Sequence, residues 1–126
     1  MIYKMILILS FSLLMASCSA PDKINEKWYQ LRWCEQQDGQ VEVRLKDKTR
    51  CDCLTNDHAI EVDFSRKWAE AVGQSLHYAK ITGKQAGILL IVENEQGKKH
   101  LTRLESVIKF HNLPITVWTT KKSELN

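Results

Sequence analysis

The sequence predicts a single α/β domain in which helices flank a mixed sheet. Segments between residues 40 and 64 alternate apolar and polar side chains, as half-buried strands do. Two later segments carry apolar residues at helical spacing, and a continuous apolar run suits a strand covered on both faces. The resulting order is helix, three strands, helix, strand, helix, strand. This order predicts antiparallel hairpins first and crossover units after them.

The first half of the predicted domain is one helix and a three-stranded meander. The helix is predicted over Ile24–Cys34, and the strands over Val41–Leu45, Arg50–Leu54 and Ala59–Phe64. In the third strand Ile60 and Val62 face one side, whereas Glu61 and Asp63 face the other.

The second half alternates helices with buried strands. Ser65 is a suitable N-cap for a helix that runs to about Thr82, and Gly83 suits its C-terminus. The apolar stripe of that helix consists of Trp68, Ala71, Val72, Ser75, Leu76 and Ala79. The remaining predicted elements are a strand over Gly87–Val92, a charged loop over Glu93–Lys99, a helix over His100–His111 and a strand over Ile115–Trp118.

The N-terminal residues are typical of an export signal. A charged start, an apolar run from Ile6 to Ala16 and small residues after it predict a signal peptide over residues 1–17. Cleavage before Cys18 would produce a lipidated cysteine, whereas cleavage after Ala20 would release a soluble chain. We therefore expect an exported domain over 18–126, located in a bacterial periplasm or envelope or secreted. It would contact a membrane only through a lipid anchor.

Charge and motifs exclude several classes of function. The net charge is +3 over 126 residues, and +2 once Lys4 is removed with the signal, so the chain is no polycation. It contains neither a Gly-rich phosphate loop nor a Gly-x-Ser-x-Gly motif, which argues against nucleotide-dependent enzymes and serine hydrolases.

Three cysteines remain after the signal. Cys51 and Cys53 are two residues apart, which places them on one strand face and makes a direct bond between them strained. Cys34 can pair with either of them in an oxidising compartment, which leaves one free thiol. The pair Cys34–Cys53 is the candidate disulfide.

Acidic side chains on two neighbouring strands are the candidate site. Asp52 lies in the middle of the second strand, and Glu61 and Asp63 share a face of the third. If the strands pair, the three carboxylates converge and repel one another, so the site favours a hard divalent cation, Mg²⁺ or Mn²⁺. The plainer alternative is that Asp52 and Glu61 lie on a solvated sheet face and that Asp63 assists a helix N-cap or is a surface acid.

The following helix carries a polar row beside its apolar stripe. At about 100° per residue, four side chains fall within roughly 80° of one another. They are Lys67, Glu70, Gln74 and Tyr78. This row could flank a metal site, or Lys67 could be a solvated helix lysine and Gln74 and Tyr78 ordinary packing.

These acids, the Gln74-x-x-x-Tyr78 pair and the order of elements resemble the PD-(D/E)XK nuclease superfamily, in particular its RecB-type exonuclease branch. The resemblance implies a restriction-endonuclease-like αβββαβ core with an additional C-terminal helix and strand. Asp52 matches the family's first metal-binding Asp, and Glu61-Val62-Asp63 matches its Glu-x-Lys. An early acid often completes such sites, and Glu35 and Glu42 are the candidates for that role.

One position departs from the family pattern. Asp63 occupies the place of the catalytic lysine, and Lys67, four residues later, is the candidate replacement. The expected function is Mg²⁺-dependent hydrolysis of DNA phosphodiesters, with Asp52, Glu61 and Lys67 as catalytic residues. Asp63, Glu70, Gln74 and Tyr78 would support them. The alternative is a catalytically inactive member that serves as a nucleic-acid-binding or structural module of the cell envelope.

Overall fold

A computed structural model describes residues 24–126, so the expected signal peptide, Cys18 and the cleavage site after Ala20 lie outside the described residues. The helices are α1 (Glu26–Gln36), α2 (Trp68–Thr82) and α3 (Glu95–His111). The strands are β1 (Gln40–Arg44), β2 (Arg50–Leu54), β3 (His58–Phe64), β4 (Gln85–Ile91) and β5 (Ile115–Thr120). The predicted order of elements is confirmed.

The five strands form one mixed sheet in the order in which they occur along the chain. The β1–β2 and β2–β3 pairs are antiparallel, and the β3–β4 and β4–β5 pairs are parallel. The parallel pairs are joined by α2 and α3, as the crossover rule requires. The predicted α/β class with a mixed sheet is therefore confirmed.

The sheet is covered by α1 on one face and by α2 and α3 on the other. Leu89 and Ile91 pack with Tyr29 and Trp33 of α1, whereas Ile88 and Leu90 pack with residues of α2 and α3. This alternation explains why the apolar run of β4 is continuous, because both of its faces are buried. Among residues 24–126, no helix is long and apolar enough to cross a membrane.

A disulfide joins α1 to the sheet. Cys34 and Cys53 form this bond, and Cys51 is a buried free cysteine. The predicted pairing of Cys34 with Cys53 is thus confirmed. The expectation that Cys51 and Cys53 share a strand face is wrong: Cys51 packs with Ala59 and Tyr78 near α2, and Cys53 packs with α1.

Two predicted helix starts are also wrong. Ser65 does not cap α2 with its side chain; it begins a short 3₁₀ turn, Ser65–Lys67, that leads into the helix. Glu93–Lys99 is not a loop, because α3 begins at Glu95. The side chain of Asn94 caps α3 by accepting a hydrogen bond from the Gly97 N–H at 2.9 Å.

Candidate functional site

Two acids of β3 are buried beneath α2. Glu61 and Asp63 lie opposite Ile88 and Leu90 of β4, on the sheet face that α2 and α3 cover. Glu61 is 5% exposed and Asp63 is 2% exposed. The predicted alternation along β3 is confirmed, but Glu61 does not lie on a solvated face and Asp63 is not a surface acid.

Asp52 faces these acids because the edge of the sheet is bent. Glu42 of β1 has a φ of 53°, in the left-handed region, which interrupts the regular pleat. The β2–β3 ladder contains the pairs Cys53–Ile60 and Leu54–Ala59. Beyond them, the Asp52 carboxylate itself accepts a hydrogen bond from the Val62 N–H at 2.8 Å. The Asp52 side chain therefore lies between β2 and β3.

Helix α1 holds the bent segment in place. The Gln30 side chain is buried and donates to the Asp52 backbone oxygen at 2.8 Å and to the Glu42 carboxylate at 3.1 Å. One turn earlier, Glu26 lies near Asp63 and Asp52, and its charge raises the pKa of both. Glu26, Asp52, Glu61 and Asp63 thus form one cluster, which we call the acidic cluster.

Burial and mutual repulsion hold protons on this cluster. The pKa of Glu61 is raised well above its ordinary value, first by burial and then by the charges of Asp52 and Asp63. The pKa of Asp52 is also raised, mainly by burial, although the Val62 N–H opposes this. Burial, followed by the charge of Glu26, raises the pKa of Asp63 to about 7. Clustered carboxyls with raised pKa values mark candidate functional sites.

Two carboxylate oxygens of the cluster lack any hydrogen-bond partner. Among residues 24–126, Glu61 Oε2 and Asp63 Oδ2 are the buried side-chain oxygens in this condition. A buried polar atom without a partner costs about 1–3 kcal/mol, and such atoms are rare in proteins. These oxygens are the feature of the site that ordinary packing does not explain.

Lys67 is the cation of the cluster. Its Nζ lies 3.6 Å from Asp63 Oδ1 and 3.9 Å from Glu26 Oε2. Lys67 comes from the 3₁₀ turn that follows β3, and 41% of its side chain is exposed. The ammonium group therefore lies at the boundary between the acids and solvent.

The remaining residues of the predicted polar row differ in position. Tyr78 is buried on α2 within hydrogen-bonding reach of Glu61, and burial followed by the charge of Glu61 raises its pKa. Gln74, one turn earlier, and Glu70 are exposed, and in the part of the chain that the structure describes neither contacts an acid by a hydrogen bond or ion pair. The structure therefore brings Lys67 and Tyr78 to the acids, but not Glu70 and Gln74.

The acid that α1 brings to the cluster is one that the sequence did not single out. Glu35 is exposed near the C-terminal end of α1, and Glu42 is exposed on β1, where Gln30 binds it. Glu26 is instead the α1 acid that approaches Asp63. The available signal was the spacing of Glu26 and Gln30, which puts both polar groups on one side of α1.

The donor set of the cluster fits a hard divalent cation. Carboxylate oxygens are the ligands that Mg²⁺ and Mn²⁺ prefer, and two oxygens are free of other partners. Within residues 24–126, however, no three acidic, histidine or cysteine side chains are already arranged as a metal site. The carboxylates would have to move closer to one another to bind such an ion.

Comparisons with family models, with curated proteins and with solved structures return no match. The acidic cluster and its surroundings are therefore the basis for a functional assignment.

Proposed function

We propose that this domain is a metal-dependent nuclease that hydrolyses phosphodiester bonds of DNA, with a PD-(D/E)XK-type site. The observation that carries the proposal is the pair of buried, unpartnered oxygens of Glu61 and Asp63 beside Asp52. Two buried oxygens without partners do not stabilise the fold, whereas a bound cation would satisfy both of them. The order of elements, one helix and a three-stranded meander before the crossover helix, supports the same proposal.

Asp52, Glu61 and Asp63 would hold Mg²⁺ or Mn²⁺. The ion, when bound, would lower the pKa of a bound water and offset negative charge on the phosphate. Gln30 and the Val62 N–H hold Asp52 between the strands, so Glu61 and Asp63 would move toward it when the ion binds. Tyr78 would orient the Glu61 carboxyl from the side of α2.

Lys67 would take the role of the catalytic lysine. In the family pattern this lysine follows the Glu by two residues, where this chain has Asp63. The Lys67 ammonium lies 3.6 Å from that Asp63 carboxylate, so a cation reaches nearly the same place from the next turn. From there it would stabilise charge on the phosphate or approach the attacking water.

The second candidate is an inactive nuclease-fold protein that binds nucleic acid or serves as a structural module of the envelope. The observation that favours it is that Lys67 is shared between two carboxylates, Asp63 and Glu26. In that case the lysine neutralises the acids and does not act on a phosphate.

Cleavage of plasmid and linear DNA by the purified protein separates the two. We expect cleavage with Mg²⁺ or Mn²⁺ and none with a chelator. Asp52→Asn and Lys67→Gln should lower the rate at least about 100-fold, the size typical of lost electrostatic or acid–base groups. Glu105→Gln and Lys80→Gln change exposed residues of α3 and α2 and are the matched controls.

Equal cleavage by Asp52→Asn and the unchanged protein would show that the site is assigned wrongly. If no divalent ion supports cleavage while the circular dichroism spectrum is native, the domain is not a nuclease. Calorimetry with Mn²⁺ would then distinguish a metal-binding module from a purely structural one.

A further inference from the structure

A second cleft lies at the other end of β3 from the acidic cluster. Its volume is about 270 Å³, and its lining comes from the end of α1, the β2–β3 turn and β5. His58, which lines it, begins β3. Ile60, which also lines the cleft, packs toward α1, whereas Glu61 and Asp63 lie on the opposite sheet face, toward α2 and α3. The cleft is therefore a separate place on the molecule.

Three aromatic side chains that line this cleft contact one another, although only 6% of Trp33 is exposed. The Trp118 ring lies between the other two, with its centroid 5.4 Å from Trp33 and 5.0 Å from His58. Gly87 makes room for this ring, because a Cβ there would lie 2.7 Å from Trp118 Cζ3. His58 Nε2 lies 3.3 Å from Thr116 Oγ1, a contact that holds the imidazole. These side chains are thus fixed by their surroundings.

The remainder of the lining is negatively charged and polar. Asp38 and Asp57 line the cleft and are exposed. Among the described residues, no Lys or Arg belongs to the lining itself, but the Lys84 ammonium lies at its edge, where it donates to the Asn56 backbone oxygen at 2.5 Å. Neither carboxylate has an ion-pair partner within 4.0 Å among residues 24–126. The cleft thus has two acids in its lining and one ammonium group at its edge, whereas the chain as a whole has a net charge of +3.

We propose that this cleft binds a small organic cation of the alkylammonium class. Aromatic rings attract a cation through their quadrupoles, and the two carboxylates add a second attraction of the same sign. The volume lies just below the range of about 300–1,000 Å³ that larger ligands occupy, which limits the occupant to one small group. A free amine and a choline-type lipid headgroup share this chemistry.

The four tryptophans of the chain supply the test. Tetramethylammonium is titrated into the protein while the indole N–H signals are followed by NMR. We expect saturable shifts of the Trp33 and Trp118 signals, with the Trp28 and Trp68 signals unchanged. 3,3-Dimethylbutanol, a neutral isostere of choline, should shift Trp33 and Trp118 much less than choline does. No saturable shift, or equal shifts with the neutral isostere, would overturn the proposal.

Charge variants test the carboxylates separately. Asp57→Asn should weaken tetramethylammonium binding about tenfold, the loss expected for one close charge at a partly desolvated site. Glu105→Gln, on α3, should bind as the unchanged protein does. Equal affinity in Asp57→Asn and the unchanged protein would contradict the role of the carboxylates. Vesicles of phosphatidylcholine form a further arm: competition with tetramethylammonium identifies a lipid headgroup as the occupant, and lack of competition identifies a free amine.

Discussion

Replacement of Glu61 by Gln should stabilise the fold while it removes the function. Glu61 is 5% exposed, one of its oxygens has no partner, and Asp52 and Asp63 repel its charged form. The Gln amide keeps the shape, carries no charge and can donate to the Asp52 carboxylate. Relief of one unsatisfied buried group corresponds to about 1–3 kcal/mol in the free energy of unfolding. For a domain of this size that raises Tm by about 4 °C or more.

The stability that Glu61→Gln gains should increase with pH. The folded pKa of Glu61 is raised, so between its ordinary pKa of about 4.3 and the raised value the folded state binds more protons than the unfolded chain. The stability of the unchanged protein therefore falls as the pH rises through this window. Glu61→Gln does not lose this stability, because its side chain does not titrate. The gain of the variant in Tm should be small near pH 5 and larger near pH 8.

Thermal melts in a chelator at several pH values, then with Mn²⁺, measure both effects. Mn²⁺ should raise the Tm of the unchanged protein and of Glu105→Gln, but not that of Glu61→Gln. If Glu61→Gln melts below the unchanged protein at pH 8 in the chelator, Glu61 stabilises the fold and the reasoning is refuted.

Three further predictions concern the metal, the disulfide and the glycines. The affinity for Mn²⁺ should rise between pH 6 and 8, and binding should release protons, because the pKa of Asp63 is raised to about 7. Calorimetry in two buffers of different ionisation enthalpy measures the number of protons released. An affinity that does not change with pH would contradict this prediction. Loss of the Cys34–Cys53 bond by a double Ser substitution should cost about 3 kcal/mol in denaturant unfolding, and a loss below about 1 kcal/mol would count against its role as a tether of α1. Gly87→Ala should destabilise the fold by about 1–3 kcal/mol, because the added Cβ would collide with Trp118. Gly73→Ala should stabilise the fold by about 0.5–1 kcal/mol, because Gly73 is exposed on α2 and has open space around it. The opposite order of stabilities would be inconsistent with the packing.

Most of the fold could be predicted because its signals are local. Alternation along Arg50–Leu54 gave the bounds of β2 as the structure has them, and Gly83 has the left-handed φ of 72° that ends α2. The start of α3 was missed because charged residues after β4 read as a loop. In the structure the Asn94 cap begins the helix there, and Gly97 has no Cβ to collide with Ser65 Oγ.

The sequence could predict the position of a site residue only where that position follows from the two-residue alternation of side chains along a strand. The placement of Glu61 and Asp63 on one face depends on alternation alone, and the structure agrees. Asp52 and Glu26 depend on a bend at Glu42 and on the docking of α1, neither of which has a local signal. Cys51 and Cys53 likewise pack in different parts of the core, against the expected period of two.

A nuclease of the proposed kind requires that the acidic cluster binds a divalent ion and that this ion supports DNA cleavage. The most direct measurement is the rate at which the purified protein nicks supercoiled plasmid in Mg²⁺, compared with Glu61→Gln and with Glu105→Gln. We expect cleavage by the unchanged protein and by Glu105→Gln, and at least about a 100-fold loss in Glu61→Gln. Equal rates for all three proteins, or no cleavage by a natively folded protein with any divalent ion, would contradict the proposal.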